Sequence, residues 1–222
     1  MLIPYHPPSI EFFLGTDAYG GSMAMRLISA TWETIYSVLL AVGIAGCVGG
    51  CVGAVLAFTR RKLLRIGCEI LLSFSYAAPL LLLVLLVIVV FGEGIWVFPS
   101  IGFLAWGSIA LASATSFERV NDSGYVRASR NLGLLPVRAC LRHGIGHALP
   151  TIIGACAALA SQLFQLSVVL AFIGVGGGGL GALIREGYQV YPSAWWMWLP
   201  ATVTAAVILG ISSWGAHKGE RL

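Results

Sequence analysis

The 222-residue chain is 58% hydrophobic and 10% charged, where a soluble domain carries about 25% charged residues. Its apolar runs of 18 or more residues exclude a water-soluble core. The formal net charge of +4 is modest and reads as a membrane-topology signal, not a nucleic-acid footprint. The expected fold class is all-α, a polytopic membrane bundle of about five helices. Lipid offers no partner to an unpaired backbone group, and none of the long runs alternates as a barrel strand would.

Residues 1–33 are mixed in character and show no charged n-region followed by an apolar core, so no secretory signal is expected. They are read as an extracytoplasmic N-terminal segment, with 23–32 forming a short amphipathic helix in the membrane interface. The transmembrane domain is placed at 34–217, and 218–222 form a short cytoplasmic tail. The first span covers about 34–58. Gly46/Gly50 and Gly49/Gly53 each give small-xxx-small spacing, which lets two helix backbones approach closely. Packing within the subunit and packing against a partner both remain open for these pairs.

Arg60, Arg61, Lys62 and Arg65 mark a short cytoplasmic turn. The second span, about 69–91, contains Pro79, which should kink it. An outer turn at Gly92, Glu93 and Gly94 leads to the third span, about 96–117. A polar loop at 118–148 carries Arg119, Arg127, Arg130, Arg138 and Arg142, and thirty such residues cannot lie in hydrocarbon. The fourth span is about 149–173, a Gly- and Trp-rich outer segment follows, and the fifth span is about 198–214. With the N-terminus outside, eleven Lys and Arg fall inside and two, Arg26 and Arg185, outside. That bias agrees with five crossings. Trp195, Trp196 and Trp198 suit an outer aromatic belt.

Near the middle of these spans there is no ionisable residue, although such groups equip proton-coupled pumps and voltage sensors. No G-x-x-x-x-G-K-[ST] phosphate loop is present either, so neither ATP nor any other cofactor is expected to bind this chain in that way. Uphill transport would therefore draw its energy from another polypeptide. The five cysteines, Cys47, Cys51, Cys68, Cys140 and Cys156, lie in or beside apolar spans or in the basic loop and do not suggest a disulfide framework. Cys47/Cys51 and His143/His147 are each spaced four apart. Both pairs read as structural, with no metal site expected, because the ligands needed to complete one are missing. Gly174–Gly179 satisfies G-x-G-x-x-G but follows a membrane helix where a dinucleotide site needs a strand. It reads as an outer turn that lets 180–191 fold back. Gln162, Gln165 and Ser167 are the polar groups of the fourth span. They serve either interhelical hydrogen bonding or a translocation path, and are retained as pore-lining candidates.

On charge alone the basic loop is a solvated stretch that sets topology. Its residue pattern says more. Tyr125, Val126, Ala128, Arg130, Leu132, Gly133, Arg142, His143, Leu149 and Pro150 stand as in the E-A-A loop of ABC importer permeases, and the loop resembles that of the dipeptide, oligopeptide and nickel branch. Arg127 replaces the usual Glu of this pattern and Ser129 its second Ala. Upstream, Leu14, Gly15, Thr16, Asp17, Gly20 and Arg26 match a second run of the branch, where Gly21 and Ser22 replace an Arg-Asp pair. Members usually begin with one further transmembrane helix that this chain lacks.

The resemblance implies a permease subunit of the bacterial inner membrane that is not itself an enzyme. It would pair with a second permease, most simply a different one, to enclose a path for peptides or for nickel or a chelated metal. Two ATP-binding cassette subunits would dock at Tyr125, Arg127, Ala128, Ser129, Arg130, Leu132, Gly133, Arg142 and His143, and an extracytoplasmic solute-binding protein would deliver the solute. Lipid is the remaining partner; nucleic acid is not one. A short helix closed by Gly133 and a second starting near Pro136 would make a rigid elbow that moves the third and fourth spans together. The alternatives are a passive channel or a membrane scaffold. An intramembrane enzyme would need a Gly-x-Ser-Gly serine and a membrane His, and neither is present.

Overall fold

A computed structural model describes residues 4–59, 61–77, 79–92, 97–124, 126, 145–175, 178–190 and 194–219. Eight helices occur among them: α1 (Met23–Phe58), α2 (Lys62–Ala77), α3 (Leu80–Phe91), α4 (Val97–Leu104), α5 (Gly107–Asn121), α6 (Ile145–Ile173), α7 (Leu180–Val190) and α8 (Trp195–Gly219). The all-α expectation holds. Three helices, α1, α6 and α8, are long and apolar enough to cross a membrane. Five crossings result if the bent pairs α2–α3 and α4–α5 each count as one.

Several boundaries differ from the sequence reading, and α6 and α8 open at Ile145 and Trp195, a turn earlier than expected. The short interfacial helix expected at 23–32 is instead the opening of α1, which runs unbroken through 36 residues. At 1.5 Å per residue α1 is about 54 Å long, well beyond a hydrocarbon core of about 30 Å. Pro79 does more than kink the second span: the chain turns by 87° between α2 and α3, and Pro79 itself stands in extended backbone at the N-cap of α3. The third span, expected to be continuous, is broken between Leu104 and Gly107 with a bend of 40°.

Glycine decides how closely the helices pack. A Cβ on Gly53 would lie 2.5 Å from the Ser113 Cβ and 2.6 Å from the Ala110 carbonyl oxygen. One on Gly49 would lie 2.7 Å from the Trp106 carbonyl oxygen. This small-xxx-small pair therefore seats α1 directly on the backbone of α5. The other pair does not share the role: Gly50 meets nothing within 4 Å and Gly46 only the Cys156 thiol, at 3.9 Å. Gly102 repeats the device between α4 and Ala41 of α1, and Gly181 repeats it between α7 and Val168 of α6.

The central core joins Ala41, Ala45, Ile101, Ile109, Leu159, Leu163, Phe164, Leu170, Leu180 and Met197. Without a hydrophobic drive between helices in lipid, close packing and interhelical hydrogen bonds carry association. One such bond runs from the Ser212 hydroxyl to the buried Ser161 hydroxyl at 3.2 Å, tying α8 to α6.

Candidate functional site

The docking residues expected from the loop motif, Tyr125, Arg127, Ala128, Ser129, Arg130, Leu132, Gly133, Arg142 and His143, lie outside the described residues, as does the Gly133 elbow. What the structure does describe is the base from which the loop springs. Val120 and Val126 on the α5 side and Ala148 at the start of α6 are buried together, with Phe58, Phe117 and Ile152 packed around them. The Phe58 and Phe117 rings stand 5.8 Å apart in a tilted arrangement. Apolar contact thus clasps both stems of the loop to the C-terminal end of α1. A close-packed cluster of this kind resists shear more than a solvated hinge does. Val126, one of the residues matched to the loop pattern, is fully buried although flanked by the most polar stretch of the chain. Beside the clasp, the Arg65 guanidinium donates to Glu69 at 3.0 Å and to Glu118 at 3.4 Å, tying α2 to the end of α5. Both contacts are exposed and contribute little on their own.

At the opposite end, the upstream run matched in the sequence forms a folded cap. Backbone Tyr19 and Gly21 N–H groups donate to Asp17 Oδ1 at 2.9 and 2.7 Å. The His6 N–H donates to Thr16 Oγ1 at 2.7 Å, and the Thr16 N–H returns to the His6 carbonyl at 3.0 Å. Gly15 adopts φ +73°, and a side chain there would meet His6 O at 2.6 Å and the Trp196 ring at 2.8 Å. Trp196, expected in an outer lipid belt, is therefore packed under the cap, whereas Trp195 is exposed.

Arg26 holds the cap to two helices. Its Nη2 donates to Glu186 Oε2 at 2.7 Å and its Nη1 to Glu186 Oε1 at 3.2 Å, while Nη1 also reaches Asp17 Oδ2 at 3.4 Å. The paired geometry suits the planar guanidinium fork. The motif residues Asp17 and Arg26 thus act together, and their partner Glu186, 160 residues from Arg26, was not foreseen.

Of the three pore-lining candidates, Gln162 and Gln165 are exposed on the outside of α6 in this chain, and Ser167 is buried. Ser167 lines a recess with Glu33, Thr34, Ser37, Val97, Phe98, Leu170, Ala171, Val175, Gly178 and Gly179. The Thr34 hydroxyl donates to the Ala30 carbonyl at 2.8 Å and accepts the Leu180 N–H at 3.1 Å, so α1 caps the first turn of α7. Gly174 and Gly179, at φ +98° and +91°, bound the turn that sets the start of α7 against α1. Cys47 and Cys51 are free and exposed, Cys68 and Cys156 are free and partly buried, and Cys140 lies outside the described residues. No group of three or more metal-ligating side chains occurs among the described residues.

The chain matches the family described as binding-protein-dependent transport system inner membrane component over residues 49–215. It is 25% identical over 209 residues to the inner membrane ABC transporter permease protein YejE of Escherichia coli K12, an alignment that takes in 92% of this chain but only 61% of YejE. It is 26% identical over 178 residues to the probable D-methionine transport system permease protein MetI of Vibrio cholerae, covering 74% of this chain and 78% of that protein. A chain of the inward-facing MetNI methionine ABC transporter superposes with a TM-score of 0.67 at 21% identity, over 88% of this chain and 95% of the other. A chain from the crystal structure of an amino acid ABC transporter with histidines gives 0.66 at 20% identity, over 90% and 95%. At these identities the structural likeness speaks to the fold.

Proposed function

Because this chain belongs to the family of binding-protein-dependent transport system inner membrane components, we propose that it works as the permease subunit of an ATP-driven importer and lines part of the path of a small solute. It is a multi-pass inner-membrane protein. In this reading it pairs with a second permease, most simply a different gene product. Two ATP-binding cassette subunits hydrolyse ATP, and an extracytoplasmic binding protein supplies the solute. Residues 1–33 then face outward, 34–217 form the permease domain and 218–222 lie inside.

The observation that supports the reading best is the clasp of Val120, Val126 and Ala148 with Phe58 and Phe117, which lies within the matched family region. It gives the loop between α5 and α6 a rigid root, so that an ATPase bound at Tyr125, Arg127, Ala128, Ser129, Arg130, Leu132, Gly133, Arg142 and His143 moves two membrane helices together. Solute passage then follows alternating access, with ATP biasing inward and outward states.

For the solute, the peptide or nickel reading taken from the loop motif gives way to an amino acid. The relative whose name states a solute, MetI, and the matching MetNI structure are named for methionine, and the third protein for an amino acid. Gln162 and Gln165, which face outward from this subunit, are read as contacts to the second permease or to the path between the two.

Co-purification tests the docking claim. The ATPase subunit should come down with the wild-type chain and be lost with Gly133→Pro or Ala128→Asp. Full retention in both variants overturns the docking site. Solute-stimulated ATP hydrolysis in the reconstituted assembly tests the substrate class, using the twenty L-amino acids, a dipeptide and nickel chloride as the panel. Stimulation by the dipeptide or nickel alone restores the first reading.

A further inference from the structure

The free face of α6 is polar where a membrane helix is normally apolar. Thr151, Ala155, Ala158, Gln162, Gln165 and Val169 follow one another at alternating steps of four and three residues, so they form one stripe along the helix. The remaining faces are engaged. Leu159, Leu163 and Phe164 are buried in the core, Ser161 is bonded to Ser212 of α8, and the Ser167 hydroxyl donates to the Phe164 carbonyl. Gln162 and Gln165 are exposed, and neither amide has a hydrogen-bond partner among the described residues. Gln162 stands about 21 Å along the helix from Ala148 and about 16 Å from Ile173, near the middle of a segment long and apolar enough to cross a membrane.

Hydrocarbon offers these amides no partner, so the stripe does not rest on lipid at this depth. Close contact with another helix does not suit them either. Where this chain packs helix on helix backbone to backbone, it does so at Gly49, Gly53 and Gly102, because small residues let two helices approach. Thr151, Ala155 and Ala158 meet that need on the half of the stripe nearer Ile145. Gln162 and Gln165 instead hold a neighbouring helix off by a three-carbon stem and leave a polar gap. The gap is uncharged on this side, since 149–173 contain no Asp, Glu, Lys, Arg or His. Each amide offers a carbonyl oxygen that accepts and an NH2 group that donates. Residues three apart on a helix have Cβ atoms about 5–6 Å from one another, so both side chains reach the head of a single α-amino acid, one at each charged end.

We propose that Gln162 and Gln165 form a solute-contact pair midway along the path, one amide oxygen accepting from the α-ammonium and one amide N–H donating to the α-carboxylate of a passing amino acid. The ligand class rests on the amino-acid reading of the preceding subsection, whereas the placement of the pair on a wet path rests on α6 itself. Neutral amides hold a zwitterion less tightly than charged side chains do, which suits a site that must release its solute. The assignment explains why two amides at bilayer depth are left open by their own subunit, although Ser161 and Ser167 on either side of them are bonded within it.

Two measurements on the complete assembly in proteoliposomes, with ATP inside and the binding protein outside, test it. The first treats Gln162→Cys and Gln165→Cys with methanethiosulfonate ethylammonium, a charged, water-soluble thiol reagent. Peptide mass spectrometry reads the modified position and separates it from the five native cysteines. Both positions should be modified, and whichever of the twenty L-amino acids is taken up best should slow the modification at least fivefold. The second measurement is uptake of that amino acid. Gln162→Leu and Gln165→Leu should retain the second permease and the ATPase on co-purification yet lose at least tenfold in kcat/KM, and Gln162→Asn and Gln165→Asn should recover part of the loss. Positions that stay unmodified, or Leu variants that shed the second permease, make the stripe a protein interface and overturn the proposal. So do modification that no solute slows and Leu variants within twofold of wild type. The amino-acid reading survives each of those results. If a dipeptide or nickel chloride protects the cysteines and no amino acid does, that reading fails, and the ligand assigned to the pair fails with it.

Discussion

Gly53→Ala isolates the contact on which the α1–α5 pairing depends. The added methyl would lie 2.5 Å from the Ser113 Cβ, 2.6 Å from the Ala110 carbonyl oxygen and 2.9 Å from the Ala114 nitrogen. Two of the three are backbone atoms of α5, which no rotamer change moves aside, so the helices must separate by several tenths of an ångström along the seam. Overpacking of this kind costs about 1–3 kcal/mol. At about 2 °C to 4 °C per kcal/mol for a chain of this size, a cost near 2 kcal/mol lowers the thermal midpoint by about 4–8 °C. Gly50→Ala supplies the control on the same helix, since a Cβ there meets nothing within 4 Å, and should shift the midpoint by about 2 °C or less. The assay is thermal unfolding of the isolated subunit in one detergent, followed by loss of the monodisperse peak. Equal midpoints for the two variants, or a larger loss for Gly50→Ala, would refute the claim that the Gly49/Gly53 face carries the internal packing.

Three further outcomes follow from the ends of the bundle. Arg26→Gln leaves Asp17, 5% exposed, and Glu186 without their shared cation. Because Arg26 and Glu186 are each about a third exposed, the loss should be about 1 kcal/mol. It should appear as faster hydrogen exchange in residues 5–22 and in α7, and 1 M salt should shrink the difference from wild type. Val126→Asp puts a carboxylate into an apolar cluster that offers it no partner, at a cost of several kcal/mol. Mass spectrometry of the purified complex should then show the ATPase subunit depleted, whereas bound ATPase at wild-type stoichiometry would mean the clasp does not support docking. Gly179→Ala forces a side chain to φ +91° and brings its Cβ within 2.6 Å of Thr34 Oγ1, the atom that accepts the Leu180 N–H. The left-handed backbone alone costs about 1–2 kcal/mol. Protease nicking near the start of α7 should rise, and unchanged resistance would argue that the turn tolerates a side chain.

Much of the architecture was legible from composition, because lipid imposes a coarse rule: long apolar runs become helices and clustered arginines stay in water. The helical class and the polar stretch between α5 and α6 follow from that rule, while the break at Pro79 follows from a ring that donates no N–H and crowds the preceding turn. The cap is a mixed case. Leu14, Gly15, Thr16, Asp17 and Arg26 were noticeable as a pattern, but the pattern did not reveal that Asp17 folds the turn or that Arg26 reaches Glu186. A contact spanning 160 residues leaves no local trace in either segment.

The glycines show most plainly where reading along the chain ends. Gly46/Gly50 and Gly49/Gly53 have the same spacing on the same helix, offset by three residues, and one-dimensional spacing cannot say which face meets a neighbour. Only the rotation of α1 about its axis, set by how α4, α5 and α6 pack around it, turns Gly49 and Gly53 toward Trp106, Ala110 and Ser113 and leaves Gly50 open. Hydropathy is a property of each segment, whereas proximity belongs to the packed whole.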